Sequence, residues 1–250
     1  MNNNRCFRIL FFLGILSILL NGCALDKNEK EIYCEDVVGK IAYEEDNIVY
    51  IEEVDGYHPY IVLTDQYDGK TLLLRKNILS ERRRMNSYSA YYEGCEMDSF
   101  LNGDFFECLP EDTQSLIKNT KIQILAEECL QRVDTKVIEI ERKVFLLSYR
   151  ELAFDDNGIT GLEGEPLDFF QAPKNRLAIG DLDGKETSWW LRSANSCYAS
   201  CVCAISYDGS VGSTNSFDFN GVRPAFCVDS MLPIKESIID GKRVNILTEM

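Results

Sequence analysis

One segment, residues 188–229, constrains the fold most, because it combines two rigid blocks with an insert of different composition. The segment begins with S-W-W-L-R-S, which contains both tryptophans of the chain, Trp189 and Trp190. It ends soon after G-V-R-P-A-F, residues 221–226. Between the blocks, residues 193–220 contain no Glu, Lys, Gln, Met or Trp, although Glu and Lys are common elsewhere. The two blocks are typical of a structural framework, and the insert is typical of a displayed surface.

The chain length and net charge limit the number of domains and the classes of partner that the protein can have. A chain of 250 residues is long enough for one or two domains with a real core. Its net charge is −15, and phosphate binding needs a basic face. We therefore expect no nucleic-acid partner.

The N-terminus predicts export. Arg5 and Arg8 precede an apolar run, residues 9–20, that is too short for a comfortable membrane span. The following L-N-G-C resembles the bacterial lipobox, in which the cysteine receives a diacylglyceryl group. We expect a signal peptide (1–22), a lipidated Cys23 with a tether (23–32), and an extracytoplasmic body anchored to the cell membrane by the lipid. The alternative is a secreted protein that is cleaved nearby.

Ten cysteines leave eight in the body once Cys6 and Cys23 are set aside. An even number in an exported chain permits disulfides, although the pairing does not follow from the spacing. Cys201 and Cys203 would place two sulfurs on one face of a strand, as metal ligands do. No second pair has zinc-like spacing, and the single histidine, His58, is remote in sequence. We predict no metal and no cofactor.

Hydrophobic periodicity and turn signals predict one α+β domain, residues 33–250. Helices are expected at 97–108 and 110–118, with a capped helical turn at 148–152. Asp68-Gly69 and Asp208-Gly209 predict tight turns, while 153–185 looks loop-rich and the last twenty residues are left unplaced. The predicted strands are 48–54, 60–63, 71–74, 122–125, 144–147, 190–193, 201–207 and 222–228.

The two framework blocks carry a resemblance to a known family. With upstream blocks such as L-L-L-R-K (72–76) and F-L-N-G-D-F (100–105), they resemble an uncharacterised domain of surface lipoproteins of gut Firmicutes, over roughly residues 60–228. The chain is more distantly similar to C-type-lectin-like domains, formylglycine-generating-enzyme-like folds and variable proteins of diversity-generating retroelements. That similarity implies a single C-type-lectin-like domain with antiparallel sheets and two helices, whose late loops bind ligand. The family usually has proline after W-L-R-S, where this chain has Ala194.

Four residues of the blocks are expected to form the framework: Trp189, Trp190, Arg192 and Arg223. We expect the tryptophans to be core residues rather than a sugar-stacking platform, although one of two adjacent strand residues must face outward. Each arginine is expected to pair with an acidic group; anion binding is the alternative. Both framework strands are expected in one central sheet.

The insert mixes rigid aromatic residues with small polar ones, which is the composition of binding loops. Ordinary turn chemistry explains the Gly and Asn residues, but not four aromatics and three cysteines together. Every residue type in the insert is also reachable by adenine-directed mutation of AAC or AAT codons, as in retroelement diversification. The candidate ligand-binding residues are Tyr198, Tyr207, Asp208, Asn215, Phe217 and Phe219.

These features predict a lipid-anchored binding module for an unknown protein or glycan ligand. No nucleophile elbow, metal-binding histidine pair or phosphate loop occurs, so we do not expect an enzyme. One alternative is a cysteine-dependent, formylglycine-generating-like enzyme that uses Cys201, Cys203 and Cys227. A structural envelope lipoprotein is the other alternative.

Overall fold

The computed structural model describes residues 31–38, 47–180 and 184–248. The predicted signal peptide, Cys23 and all but the end of the tether lie outside these residues. The described residues belong to a compact unit, Glu31–Met250. Within them, no helix is long and apolar enough to cross a membrane.

Three β-sheets dominate the described residues. Their strands, in chain order, are β1 (Ile32–Tyr33), β2 (Ile48–Glu53), β3 (Gly56–Tyr67), β4 (Lys70–Arg75), β5 (Thr120–Leu125), β6 (Val137–Arg142), β7 (Val144–Phe145), β8 (Trp189–Ala194), β9 (Cys201–Ile205), β10 (Val211–Asn215), β11 (Ala225–Val228), β12 (Pro233–Ile239) and β13 (Lys242–Leu247).

The largest sheet has the order β1-β12-β13-β2-β3-β4-β11-β7. Its pairings are antiparallel except for that of β13 with β2. Leu72, Leu73 and Leu74 on β4 are completely buried, as the continuous apolar run predicts for a strand covered on both faces. Phe226 on β11 lies opposite Leu73 and contacts Tyr60, with 5.0 Å between the ring centres. The core of the domain is built around these strands.

The W-L-R-S strand, β8, lies in a separate sheet of order β10-β9-β8, so the prediction of one central sheet for both framework strands is wrong. Strand β11 is paired on one side with β4 and on the other with β7, which leaves no edge for β8. The two blocks meet at Gly221, where the Trp190 N–H donates to the Gly221 carbonyl (3.0 Å) and the Gly221 N–H donates to the Ser188 carbonyl (2.9 Å). A side chain at Gly221 would bring its Cβ within 2.5 Å of Ile78, so this approach requires glycine.

Two short helices complete the α+β fold, in agreement with the predicted class. Helix α1 consists of Glu96–Phe100, a π-helical segment at Leu101–Phe105, and Phe106–Cys108. Helix α2 is Glu111–Leu116. Four 3-10 helices lie within the described ranges, at Cys34–Val37, Glu127–Cys129, Asp168–Gln171 and Pro173–Arg176.

Several elements differ from those predicted. The terminal segment forms the hairpin β12–β13, whose turn at Asp240-Gly241 has positive φ at both residues. Residues 148–152 form a turn rather than a helix, although Ser148 and Glu151 exchange the two hydrogen bonds of a capping box. The loop-rich region 153–185 contains the last two 3-10 helices.

Candidate functional site

The insert folds into the hairpin β9–β10, which separates the predicted binding residues into two groups. Cys201 lies opposite Asn215 at one end of the hairpin, and Ile205 lies opposite Val211 at the other. Four residue steps at about 3.3 Å each put these ends about 13 Å apart. Tyr207 and Asp208 therefore do not share one surface with the other four predicted residues.

The hairpin tip is explained by turn chemistry. The Asp208 carboxylate accepts hydrogen bonds from the Ser210 hydroxyl (2.6 Å) and the Ser210 N–H (3.0 Å), and these bonds lower its pKa. Gly209 has a φ of 80°, as the predicted turn requires. Tyr207 projects from this tip with 68% of its surface exposed. Asp208 thus stabilises its own turn.

At the opposite end, four aromatic side chains are exposed. Tyr198 is 58% exposed, Phe217 47% and Phe219 56%; Tyr88, which the sequence did not single out, is 89% exposed. We call these four residues the aromatic surface. Exposed aromatic residues grouped in this way are typical of interaction sites, whereas single exposed apolar residues are ordinary.

Backbone hydrogen bonds bring the three segments of the aromatic surface together. The Ala199 carbonyl accepts a hydrogen bond from Ala90 N–H (2.8 Å). The Ser216 carbonyl accepts from Met85 (2.8 Å) and Asn86 (3.0 Å), while Ser216 N–H donates to the Ser200 carbonyl. Residues on either side of Tyr88, Tyr198 and Phe217 are therefore held by main-chain contacts.

The loop that carries Phe217 and Phe219 is fixed internally as well. The Asp218 carboxylate accepts from the Thr214 hydroxyl (2.6 Å) and from Asn215 N–H (3.2 Å). The guanidinium of Arg84 lies 5.2 Å from the centre of the Phe219 ring, within cation–π range. Asn215, half-buried, takes part in shaping this loop through its main chain.

Much of the insert is interior, contrary to the expectation of a display loop throughout. Four of the five residues of strand β9 are buried, so its side chains contribute to the core on both faces of the sheet. A further group of small polar residues is also buried. The buried residues of the insert include Ser193, Ala194, Asn195, Ser196, Val202, Cys203, Ala204, Ile205, Ser216 and Asn220.

Both tryptophans are fully buried, so the expectation that one faces outward is wrong. Strand β8 is covered on both faces. The Trp189 indole N–H donates to the Arg176 carbonyl (3.0 Å), and the Trp190 indole N–H donates to the Arg83 carbonyl (2.7 Å). The bond between Trp190 and Arg83 ties the framework directly to the chain segment beside the aromatic surface.

Arg192 has the acidic partner that the sequence predicts. Its guanidinium donates to both carboxylate oxygens of Glu151, and both side chains are fully buried. Although burial opposes it, the Glu151 charge raises the pKa of Arg192. A second buried acid, Glu163, accepts hydrogen bonds from Ser193 Oγ and Leu125 N–H. Burial raises the pKa of Glu163 to about 7.

Arg223 does not have the predicted acidic partner among the described residues. Its Nε donates to the Arg75 carbonyl (2.8 Å), and its guanidinium carbon lies 4.9 Å from the centre of the Trp189 ring. Its Nη1 is buried and has no hydrogen-bond partner. Burial lowers the pKa of Arg223 to about 9, which leaves it protonated at neutral pH. The two framework arginines therefore differ in charge pairing: Arg192 has a carboxylate partner, and Arg223 has none among the described residues.

All eight cysteines of the described part are free thiols. Cys203 and Cys227 are buried, and burial raises the pKa of each thiol to about 12. Burial also raises the pKa of Cys201. Nucleophilic and redox cysteines work as thiolates, so these three thiols lack the environment of an active-site cysteine.

Glu53, Asp55 and His58 form the one group of potential metal ligands in the described ranges, with ligand atoms within 4.8 Å of one another. The guanidinium of Arg75 donates to both oxygens of Glu53 (2.7 and 3.1 Å) and lies 2.7 Å from His58 Nδ1. A metal cation would meet this fixed positive charge at its own ligands. The group is therefore better described as an ion-pair and hydrogen-bond cluster around Arg75.

The fold and the site define an α+β domain of mostly antiparallel strands with an exposed aromatic surface. Residues 68–230, more than half of the chain, match a domain of unknown function, DUF6273, and the chain belongs to that family. The matched residues include both framework blocks and the whole insert. No curated protein and no solved structure gives a significant match to the chain.

Proposed function

We propose that this protein is a binding module that captures a protein or glycan ligand on its aromatic surface. The single observation that carries the proposal is that Tyr198, Phe217 and Phe219 are exposed on segments whose backbone is hydrogen-bonded to neighbouring segments. The proposal includes display outside the cell on a lipid anchor at Cys23, as the N-terminal sequence predicts.

Rigid presentation is what makes exposed aromatic residues useful for binding. A tyrosine or phenylalanine has only two side-chain torsions, so it buries a large area at low entropic cost. A backbone that is already fixed avoids a further ordering cost on association. The main-chain hydrogen bonds that Ser216 accepts from Met85 and donates to Ser200 supply that fixed backbone here.

The C-type-lectin-like resemblance belongs to the same proposal. It implies that late loops form the binding face, and the aromatic surface draws most of its residues from the late segments 198–200 and 215–220. The segment around Tyr88 adds an earlier contribution that the resemblance did not imply. An aromatic ring suits both the apolar face of a sugar and an apolar protein side chain.

The enzyme alternative receives no support from the thiols. A cysteine-dependent oxidase needs a reactive thiolate, and the pKa values of Cys203 and Cys227 lie near 12 because both thiols are buried. The structural-envelope alternative predicts that the protein has no specific ligand, whereas the binding module predicts that it has one.

The proposal is tested on a combined glycan and protein array, probed with the full chain in a neutral detergent. We expect the wild-type protein to retain a small set of ligands and the Phe217→Ser/Phe219→Ser variant to lose them. Both phenylalanines are exposed, so the variant should fold normally. Tyr207→Ser is the matched control, because it removes an exposed aromatic ring from the far end of the same hairpin.

Loss of binding in the Phe217→Ser/Phe219→Ser variant with retention in Tyr207→Ser supports the proposal. Equal retention by all three proteins contradicts it, because the ligand would then bind elsewhere. No specific retention by the wild type, with the chain folded, favours the structural alternative.

A further inference from the structure

Arg223 is a buried cation without a counter-ion among the described residues. Only 1% of its surface is exposed, and its guanidinium makes one hydrogen bond to the part of the chain that the structure describes, from Nε to the Arg75 carbonyl. Its buried Nη1 donates to nothing. A buried charge normally has a partner, because leaving it unpaired costs several kcal/mol.

Arg223 also lines a cavity of about 340 Å³ between the largest sheet and the 3-10 helix Pro173–Arg176. Apolar side chains such as Ile61, Phe169 and Leu177 form part of its wall. Cavities of this size, apolar with a few polar groups, are typical of small-molecule sites.

Two further cations lie around the same cavity. Lys76 and Lys174 both line it and are exposed, and one acid, Glu186, lines it as well. Lys174 has a further interaction of its own, so the positive charge that attracts an anion comes from Arg223 and Lys76, against one acid among the described lining residues. These described residues suit an anion better than a cation, although the whole chain carries a net charge of −15.

We propose that this cavity binds a small organic carboxylate, with the carboxylate pairing with Arg223 and the apolar body lying against Phe169 and Leu177. A guanidinium with an unused Nη1 is suited to a carboxylate, which it recognises through charge-assisted hydrogen bonds. Because Nη1 is closed to solvent in the unliganded protein, the Arg223 side chain has to shift toward the cavity for the two to pair. Lys76 at the cavity attracts the anion, and the ligand supplies a counter-ion for Arg223, which has none among the described residues. None of the cavity residues belongs to the aromatic surface, so this site is independent of the proposed function.

The site is tested by calorimetric titration of the full chain, in a neutral maltoside detergent, with benzoate as the probe. Benzoate combines a carboxylate with an apolar ring, and benzamide has the same shape without the charge. We expect saturable binding of benzoate with a Kd in the millimolar range or below, and no binding of benzamide. Inorganic phosphate distinguishes a general oxyanion site from a carboxylate site.

Arg223→Met removes the charge and keeps most of the side-chain volume. We expect benzoate binding to weaken by about 30-fold or more, because one member of a buried charge pair is lost. The melting temperature should stay the same or rise, because the unliganded protein no longer buries an unpaired charge. Lys76→Glu, on the exposed edge, should weaken binding about two- to fivefold. Lys235→Glu, an exposed lysine outside the cavity, is the control for net charge.

Three outcomes overturn the proposal: equal affinity for benzoate and benzamide, no benzoate binding at millimolar concentration, or unchanged affinity in Arg223→Met. Stronger binding of phosphate than of benzoate overturns the choice of a carboxylate. If Arg223→Met does not fold, the wild-type contrast between benzoate and benzamide and the contrast between Lys76→Glu and Lys235→Glu decide.

Discussion

Arg192 and Glu151 form a fully buried bidentate ion pair, with 2.7 Å between Nη2 and Oε1 and 2.8 Å between Nη1 and Oε2. The pair joins the W-L-R-S strand to the turn that follows β7. Tyr67 donates its hydroxyl to the same Glu151 carboxylate, and Arg192 Nε donates to the Gln123 carbonyl (2.9 Å). One arginine thus connects three segments of the core.

Breaking this pair from one side should be strongly destabilising. Arg192→Met leaves the Glu151 carboxylate buried and without its cation, and we expect a loss of about 3–5 kcal/mol in the free energy of unfolding. Urea denaturation measures the change. The double variant Arg192→Met/Glu151→Met should recover part of the loss, because it buries no charge at this position. A loss in Arg192→Met below about 1 kcal/mol would contradict the structural role.

Stability should depend on pH through Glu163. The pKa of its carboxyl is raised by burial from 4.5 to about 7, so the folded protein holds this proton more tightly than the unfolded chain does. Its contribution to the free energy of unfolding is therefore fully present below about pH 4.5 and is lost as the pH rises through 7. The size of the loss is about 3 kcal/mol.

Glu163→Gln keeps the shape of the neutral side chain and should remove this pH dependence. The measurement is the free energy of unfolding of both proteins at pH 4.5 and pH 7. We expect the free energy of unfolding of the variant to increase relative to that of the wild type as the pH rises. A wild-type-to-variant difference that is the same at both pH values would show that Glu163 does not titrate in this range.

Trp190 should be essential to the core. Its ring is fully buried, and its indole N–H donates to the Arg83 carbonyl (2.7 Å). Trp190→Ala should cost about 3–5 kcal/mol of unfolding free energy, because it leaves a cavity and an unpaired carbonyl. Chemical denaturation checks this value. An unfolding midpoint that hardly moves would mean that the ring is not part of the packed core.

The sequence predicted core burial better than it predicted the partners of the buried groups. A run of three leucines is apolar enough to indicate a strand covered on both faces. For the two adjacent tryptophans, strand alternation predicts one exposed ring, and both rings are buried because β8 is also covered on both faces. The acid that pairs with Arg192 lies 41 residues away, and no local pattern marks it. That no acid among the described residues lies beside Arg223 is equally invisible in sequence, because it depends on how the strands pack.

The aromatic surface could also not be predicted in full, because it is assembled from segments that are distant in sequence. Composition indicated that the insert is unusual, but the register of β9 and β10 decides that Tyr207 lies far from Phe217 and Phe219. Tyr88 comes from residues 86–92, N-S-Y-S-A-Y-Y, which mix tyrosine with small polar residues as the insert does. This segment joins the surface through main-chain bonds. By contrast, Asp240-Gly241 carries the same turn signal as Asp68-Gly69, so the final hairpin was predictable from the sequence alone.

The mature chain should begin at a lipidated Cys23. The apolar run followed by L-N-G-C predicts it, and Cys23 lies outside the described residues. Mass spectrometry of the protein purified from membranes should find a diacylglyceryl group on Cys23 as the first residue. Cys23→Ser should release the body from the membrane fraction. An unmodified Cys23 in the wild-type mature protein would contradict the lipid anchor.

The most direct test of the central claim is the affinity of single variants for a ligand captured on the array. Serine replacements of Tyr88, Tyr198, Phe217 and Phe219 are compared with Tyr207→Ser by calorimetry, with melting temperatures measured in parallel. At least two of the four should raise the Kd about tenfold or more, as removing a binding hot spot does. Tyr207→Ser should leave the Kd within about twofold, and all five melting temperatures should match that of the wild type. Equal effects at both ends of the hairpin, or none at the aromatic surface, would contradict the proposed binding surface.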